Sequence, residues 1–400
     1  MSPSPFSAVP LAPRDPILGL SEAFAADPRP TKVNLGVGVY VDENGKIPVL
    51  RAVREAEQAR AATAAPRGYL PIDGIAAYDA AVQKLLFGEN SLLVASGRVV
   101  TAQGLGGTGA LKIAADFLRR ALPNATVLIS DPSWENHRAL FEQAGFVVEN
   151  YPYYDAVTNG LDFVGMSAAL RAAAPGTVAV LHACCHNPTG VDLDAAHWAE
   201  VVRIVRERQL IPVLDFAYQG FGDGIDADAT AIKLFADSGL DFFVASSFSK
   251  SFSLYGERVG ALTVVAADKD EATRILSQMK RVIRANYSTP PTHGGSVIAA
   301  ILGDARLRAL WEEDLAGMRD RIKAMRQHLI DGLKTRGVTR DFSFVLRQRG
   351  MFSYSGLTPE QMQRLASDFG IYGLSTGRIC VAALNPRNID AVCDAISAVL

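Results

Sequence analysis

The chain has little cysteine: Cys184, Cys185, Cys380 and Cys393 in 400 residues, with no CxxC pair. That scarcity excludes the spaced thiols of a structural zinc site and the dithiol of a redox domain, and no metal is expected. A reducing cytoplasm suits it best. No run of about 18 apolar residues occurs, so no membrane-spanning helix is expected. The opening MSPSPFSAVPLAPRDP lacks a basic segment followed by an apolar core and does not read as a signal peptide. Neither sign of charge dominates, since 40 basic against 42 acidic residues leave a net charge of −2. An electrostatic footprint for nucleic acid or anionic lipid is therefore missing. Internal repeats and low-complexity blocks are also absent, which excludes solenoids and fibrous arrays.

What is present is a globular composition, 49% hydrophobic and 20% charged with 34 Gly and 20 Pro. Its length suits two or three domains. From about Val99 to Val265, short apolar runs (TVLIS, FVVENY, TVAVLHACC, IPVLDFAY, DFFVASSFS, ALTVVA) alternate with amphipathic stretches. Strands alternating with helices indicate βαβ units and a mainly parallel sheet covered on both faces, an α/β fold. From Asp304 to Thr335, residues Leu307, Trp311, Leu315, Met318, Ile322, Met325, Leu329 and Leu333 recur by threes and fours, one buried stripe of a long helix. Beyond Gly337, strand-like FSFVL, MFSYSG and RICVAAL with a helical PEQMQRLASDFG and a closing helix suit a smaller α+β domain. The expected division is an arm and part of the small domain over 1–48, a large domain over 49–303, and the long helix with the small domain over 304–400.

Gly104, Gly106 and Gly109 in QGLGGTGALK satisfy GxGxxG after a strand-like RVVTA, with Asp131 ending the next strand. On paper this is a dinucleotide fingerprint, and an NAD-dependent dehydrogenase competes as a reading. The physics is more general: a glycine turn at a helix start presents backbone N–H groups and a dipole to any phosphate. A plain tight turn also remains open.

Further strand ends carry Asn187 in HNPTG, Asp215 and Tyr218 in DFAYQGF, and Lys250 in SSFSK, about thirty residues apart. Successive βαβ turns of that spacing gather side chains at the carboxyl edge of one parallel sheet. Together they answer the needs of an aldehyde cofactor with a pyridine ring and a phosphate. Lys250 supplies an amine for the aldehyde, and Asp215 a carboxylate for the ring nitrogen. Asn187 and Tyr218 donate to a phenolate oxygen. Ser247, Ser249, Arg258, Gly107 and Thr108 hold a phosphate. Singly, each has a plain alternative as solvated surface, helix cap or turn former. Vicinal Cys184 and Cys185 read as strand filling.

The segments NLGVGVY, GGTGALK, DPSWENH, CCHNPTG, DFAYQGF, SFSKSFSLYGERVG, IRANYS and GRICVA resemble, in order and across nearly the whole chain, the class I aminotransferases of the aspartate and aromatic amino acid type, closest to the bacterial aromatic (tyrosine) enzymes. The resemblance implies pyridoxal 5'-phosphate, a large cofactor domain with a smaller domain, and a homodimer with shared active sites. It makes Lys250 the Schiff-base lysine and proton shuttle, with Asp215 and Tyr218 beside it as catalytic groups. Trp134 is implied to stack on the ring, and Tyr69 to reach the phosphate from the second subunit. Arg378 clamps the substrate α-carboxylate, Gly38 lines the substrate site, and Arg284, from the partner subunit, meets a second carboxylate. His137 and His182 are read as lying behind Asp215.

In the strict aspartate branch, lysine is expected at Val41, threonine at Ile47, and asparagine at Gly68 and Thr289. All four differ here, and Ile47 is expected to make the pocket more apolar, whereas Val39 and Thr108 match the aspartate form. The expectation is exchange of an amino group between aromatic amino acids, or aspartate and glutamate, and 2-oxoglutarate, by a ping-pong route. Strict aspartate transamination is the alternative. A non-catalytic amino-acid sensor would need a DNA-binding appendage or a broken site. Decarboxylation or β-elimination would not call for both arginines.

Overall fold

The computed structural model describes residues 4–12, 16–64 and 66–400. Residues 1–3 and 13–15 of the opening segment, read above as no signal peptide, lie outside the described residues. Seven strands form the central sheet: β1 (Val99–Leu105), β2 (Thr126–Asp131), β3 (Val147–Pro152), β4 (Val178–His182), β5 (Ile211–Phe216), β6 (Phe242–Ser247) and β7 (Val259–Val265). Their order is β1-β7-β6-β5-β4-β2-β3. Every residue of β4, β6 and β7 is buried, as a sheet covered on both faces requires. Strands β3, β2, β4, β5 and β6 pair in parallel, and β7 runs antiparallel to both β6 and β1.

Because β7 reverses twice between neighbours, β1 points the same way as β6. The carboxyl ends of β1, β2, β4, β5 and β6 therefore share one edge with the start of β7. Everything carried just past those ends converges there. Helix α1 (Gly106–Ala121) leaves β1 directly and buries Leu111, Ile113, Phe117 and Leu118. At roughly 1.5–3 kcal/mol per buried side chain, those four contribute about 6–12 kcal/mol before entropy. That packing holds the glycine-rich start of α1 rigid at the sheet edge.

The dinucleotide reading fails on topology. The strand before GxGxxG is the edge strand, paired only with antiparallel β7. A dinucleotide fold needs that strand beside parallel neighbours at the point where strand order reverses. The glycines instead permit close contact, since a Cβ at Gly260 would lie 2.4 Å from the Gly106 carbonyl carbon and one at Gly104 3.0 Å from the Ala110 nitrogen.

Beyond the sheet, helix α2 (Ala305–Thr335) begins at an Asp304 side chain that accepts the Leu307 N–H. Its expected stripe is buried from Trp311 to Leu333, while Leu307 is half-buried. Two short pairings form the smaller α+β part. Val33–Asn34 runs parallel to Ile371–Tyr372, and Phe352–Tyr354 antiparallel to Arg378–Cys380. The expected strand FSFVL is a 3-10 turn over Ser343–Leu346. Asp341 accepts the Ser343 N–H and hydroxyl at 2.7 and 2.9 Å, and adjacent Phe344 and Val345 are both buried. A local side-chain cap wins over the apolar run's strand preference. RICVAAL likewise keeps only Arg378–Cys380 as strand before turning at Val381–Ala383. No helix among the described residues is long and apolar enough to cross a membrane.

Candidate active site

A cavity of about 590 Å³ opens at the shared sheet edge and against the small domain. Thr108 and Gly107 reach it from the start of α1, Trp134 from beyond β2, Asn187 from beyond β4, Asp215 from β5 and Tyr218 from just past it. Ser247 ends β6, Ser249 and Lys250 follow it, Arg258 precedes β7, and Gly38 and Arg378 come from the small-domain side.

Lys250 is half-buried in the cavity wall, and the desolvation of its amine pushes it down to about 8, although the Asp215 charge opposes that shift. Its Nζ lies 5.0 Å from the Tyr218 ring centre. Asp215 is buried, which by itself disfavours a carboxylate. The hydrogen bond with His137, joined by the Lys250 charge, outweighs burial and holds Asp215 below its ordinary value. His137 Nε2 lies 2.8 Å from Asp215 Oδ2, and its Nδ1 lies 3.0 Å from the Ser133 hydroxyl. His182 sits against His137 with ring centres 4.8 Å apart. Neither His182 nitrogen has a hydrogen-bond partner among the described residues, and burial holds it neutral. Burial also keeps the Tyr218 phenol protonated.

One end of the cavity is shaped for an anion. A Cβ at Gly106 (φ +70°) would lie 2.4 Å from Arg258 Nη2, and one at Gly107 2.9 Å from the Ser247 Cβ. Arg258 donates to the Ser249 hydroxyl at 3.2 Å and the Tyr255 carbonyl at 3.0 Å. With the Gly107 and Thr108 N–H groups in the first turn of α1, these form a cradle for a phosphate. At the other end Arg378 is buried, donating to Asn187 Oδ1 at 3.1 Å and the Gly36 carbonyl at 2.6 Å. Its Nε has no partner, and no carboxylate pairs with it among the described residues. A buried guanidinium with an open donor is a ready anchor for a ligand carboxylate. An amine, a ring-facing carboxylate and a phosphate cradle in one cavity fit pyridoxal phosphate.

Three expected residues stand elsewhere in the single chain. Tyr69 is 97% exposed. Arg284, also exposed, donates to the Ser288 hydroxyl. Ile47 is half exposed and does not line the cavity. Sequence reasoning missed Phe352, whose ring would collide with any Cβ at Gly38 (2.5 Å) and lies 4.3 Å from the Arg378 guanidinium carbon. It also missed Tyr255, whose hydroxyl accepts the Tyr40 N–H at 2.9 Å. The SLYGER segment was in view, but nothing in its pattern shows the side chain facing the cavity.

The sequence model of "Aminotransferase class I and II" matches residues 30–396. An aspartate aminotransferase of Pseudomonas aeruginosa is 64% identical over 395 residues, covering 99% of each chain. An aromatic-amino-acid aminotransferase of Escherichia coli is 50% identical over 389 residues, covering 96% of this chain and 98% of that one. The crystal structure of an aromatic-amino-acid aminotransferase from Burkholderia pseudomallei, covalently bound to pyridoxal phosphate, superposes with a TM-score of 0.97 at 69% identity, covering 99% of this chain and 100% of that one.

Proposed function

Since the chain belongs to the class I and II aminotransferases and uses pyridoxal phosphate as they do, we propose that it exchanges amino groups between aromatic L-amino acids, or aspartate and glutamate, and 2-oxoglutarate. The observation that carries this reading is the buried, carboxylate-free Arg378 facing Lys250 across one cavity. Similar relatives of both aspartate and aromatic types, at 64% and 50% identity, support the double range. Val37, Val39 and Phe352 give the cavity an apolar wall on which an aromatic side chain can pack. Strict aspartate exchange is the second reading, favoured by the aspartate enzyme at 64% identity.

Bound in this cavity, pyridoxal phosphate supplies a carbonyl for the amino group and a ring that draws electrons from the substrate Cα. Lys250 would hold the aldehyde and then carry the Cα proton. An amine pushed down to about 8 is partly uncharged near neutral pH, as a base must be. Asp215, kept ionised by His137, would pair with the ring nitrogen, and Tyr218 and Asn187 would donate to the phenolate oxygen. Gly107, Thr108, Ser247, Ser249 and Arg258 would hold the phosphate, and Trp134 would stack on the ring. Arg378 orients the substrate by its α-carboxylate, with Asn187 fixing the guanidinium and Gly38 leaving room beside Phe352.

Tyr69 and Arg284 lie outside their own chain's cavity, which is what a homodimer with shared sites requires. We place Tyr69 of the partner subunit at the phosphate and Arg284 of the partner subunit at a second carboxylate. The domain boundaries near 48 and 303 and a cytoplasmic location belong to the same reading. A half-reaction screen tests it, following cofactor absorbance as tyrosine, phenylalanine, aspartate, glutamate and a branched-chain amino acid are added separately. Conversion by both the aromatic and the dicarboxylic set is expected. Conversion by the dicarboxylic set alone would establish the strict reading instead.

A further inference from the structure

A second cavity of about 340 Å³ opens beside the segment that follows β4, where Ala183 and Cys184 line it. Its rim carries the exposed Asp194, Asp223 and Arg349, and its floor is the buried Cys184 and Asp228. The Cys184 and Cys185 sulfurs and an Asp228 carboxylate oxygen all lie within 4.8 Å of one another, and all three residues are buried. We propose that this cluster binds a thiophilic divalent cation of the zinc and cadmium class.

The positions are fixed by backbone. Cys185 takes a left-handed conformation (φ 51°), which turns the chain so that consecutive side chains approach one another. Asp228 accepts the N–H groups of Gly220 and Gly222 on Oδ2 at 2.8 and 2.9 Å, and of Asp223 on Oδ1 at 2.8 Å. A carboxylate offers about four lone-pair sites, so one remains for a metal. The Cys184 thiol pairs with the neighbouring Cys185 thiol, and the Cys185 thiol also donates to the Tyr218 carbonyl at 3.9 Å. In a tetrahedral site with metal–sulfur bonds near 2.3 Å, ligand atoms sit about 3.5–3.8 Å apart, so closure by about 1 Å suffices. The cavity leaves a fourth position for water.

Charge favours a dication. Asp192, which accepts the Cys185 and His186 N–H groups, together with Asp223 and Asp228 makes three carboxylates near the cluster. Lys323 and Arg349, both paired with Asp223, and buried Arg326, which donates to three carbonyls, balance them. The rim Asp194 adds one further negative charge, so with both thiols protonated the surroundings carry a net charge of −1. One dication replacing two thiol protons, which pass to solvent, leaves that balance unchanged. A monovalent or trivalent ion would not.

The test is titration of the holoenzyme with cadmium chloride. One cadmium per chain is expected, with a sulfur-to-cadmium charge-transfer band in the ultraviolet. Calorimetry in buffers of different ionisation enthalpy should show about two protons released, and X-ray absorption two sulfur neighbours with oxygen neighbours. Cys184→Ser and Cys185→Ser should each weaken binding by at least tenfold, while Cys380→Ser and Cys393→Ser leave it unchanged. The absorption measurement needs only the unaltered chain, so it decides the matter even if a variant fails to fold. Oxygen and nitrogen neighbours alone, a band that survives in Cys184→Ser, or no stoichiometric uptake would overturn the proposal.

Discussion

Replacing Arg378 should separate recognition of the α-carboxylate from all other binding. The side chain is 1% exposed, its two Nη atoms are held by Asn187 and the Gly36 carbonyl, and its Nε is unpaired. A ligand carboxylate would therefore meet a guanidinium already oriented and already dry. Losing a buried, hydrogen-bonded charge pair costs roughly 2–5 kcal/mol, or about 30-fold to several thousand-fold. Arg378→Leu should lower kcat/KM by that range for tyrosine, phenylalanine, aspartate and glutamate alike. Arg378→Lys keeps the charge but not the planar fork, and a loss of about 10–100-fold is expected. Since Arg378 also holds Asn187, a control must separate anchoring from local collapse. An aromatic amine lacking the carboxylate should react equally slowly with the parent and Arg378→Leu enzymes in a single-turnover absorbance assay. If the carboxylate-free amine suffers as much as tyrosine, or if any amino acid is spared, Arg378 is not the anchor.

Asp215→Asn removes the carboxylate that His137 helps to keep ionised and should reduce turnover by about two to three orders of magnitude, about 2.7–4 kcal/mol at the transition state. Unchanged circular dichroism should accompany the loss, and near-normal turnover would remove Asp215 from its role. Arg284→Leu should depress kcat/KM for aspartate and glutamate by about two to three orders of magnitude and spare the aromatic substrates. Hybrid dimers of Lys250→Ala with Arg284→Leu should regain one good aspartate site, and verified hybrids that do not would put both groups in the same subunit's site. The apoenzyme should carry a pH signature of Lys250. Its folded amine is lowered to about 8 from 10.5, so the unfolded chain binds the extra proton between those values and stability rises with pH across that window. At pH 7 the buried charge costs about 1–3 kcal/mol, so apo Lys250→Met should melt higher there and lose part of the advantage by pH 10.

Lys250, Asp215, Tyr218 and Asn187 were legible because strand-helix spacing delivers each to the same edge of a parallel sheet, whatever the packing details. The stripe on the long helix was legible for a similar reason, since periodicity alone states which face is buried. FSFVL was not, because an apolar run of that length is compatible with a strand or a turn, and Asp341 decided between them through a local hydrogen bond.

The order of residues along the chain determined the α/β class and the chemical inventory: an amine, a carboxylate, a side-chain amide, a phenol and a glycine turn, each at a strand end. Those depend on local pattern and on which functional groups exist at all. Tertiary structure alone decided that the GxGxxG strand lies at a sheet edge beside antiparallel β7, because strand order is a long-range property with no signature within one turn. It alone fixed the contact of His137 with Asp215 across 78 positions, which the resemblance had put only behind Asp215, set Phe352 against Gly38, and brought the Tyr255 hydroxyl to the Tyr40 N–H. Each of these is a contact between segments far apart in the chain, fixed by how helices and sheet close-pack and not by the preferences of the residues that meet.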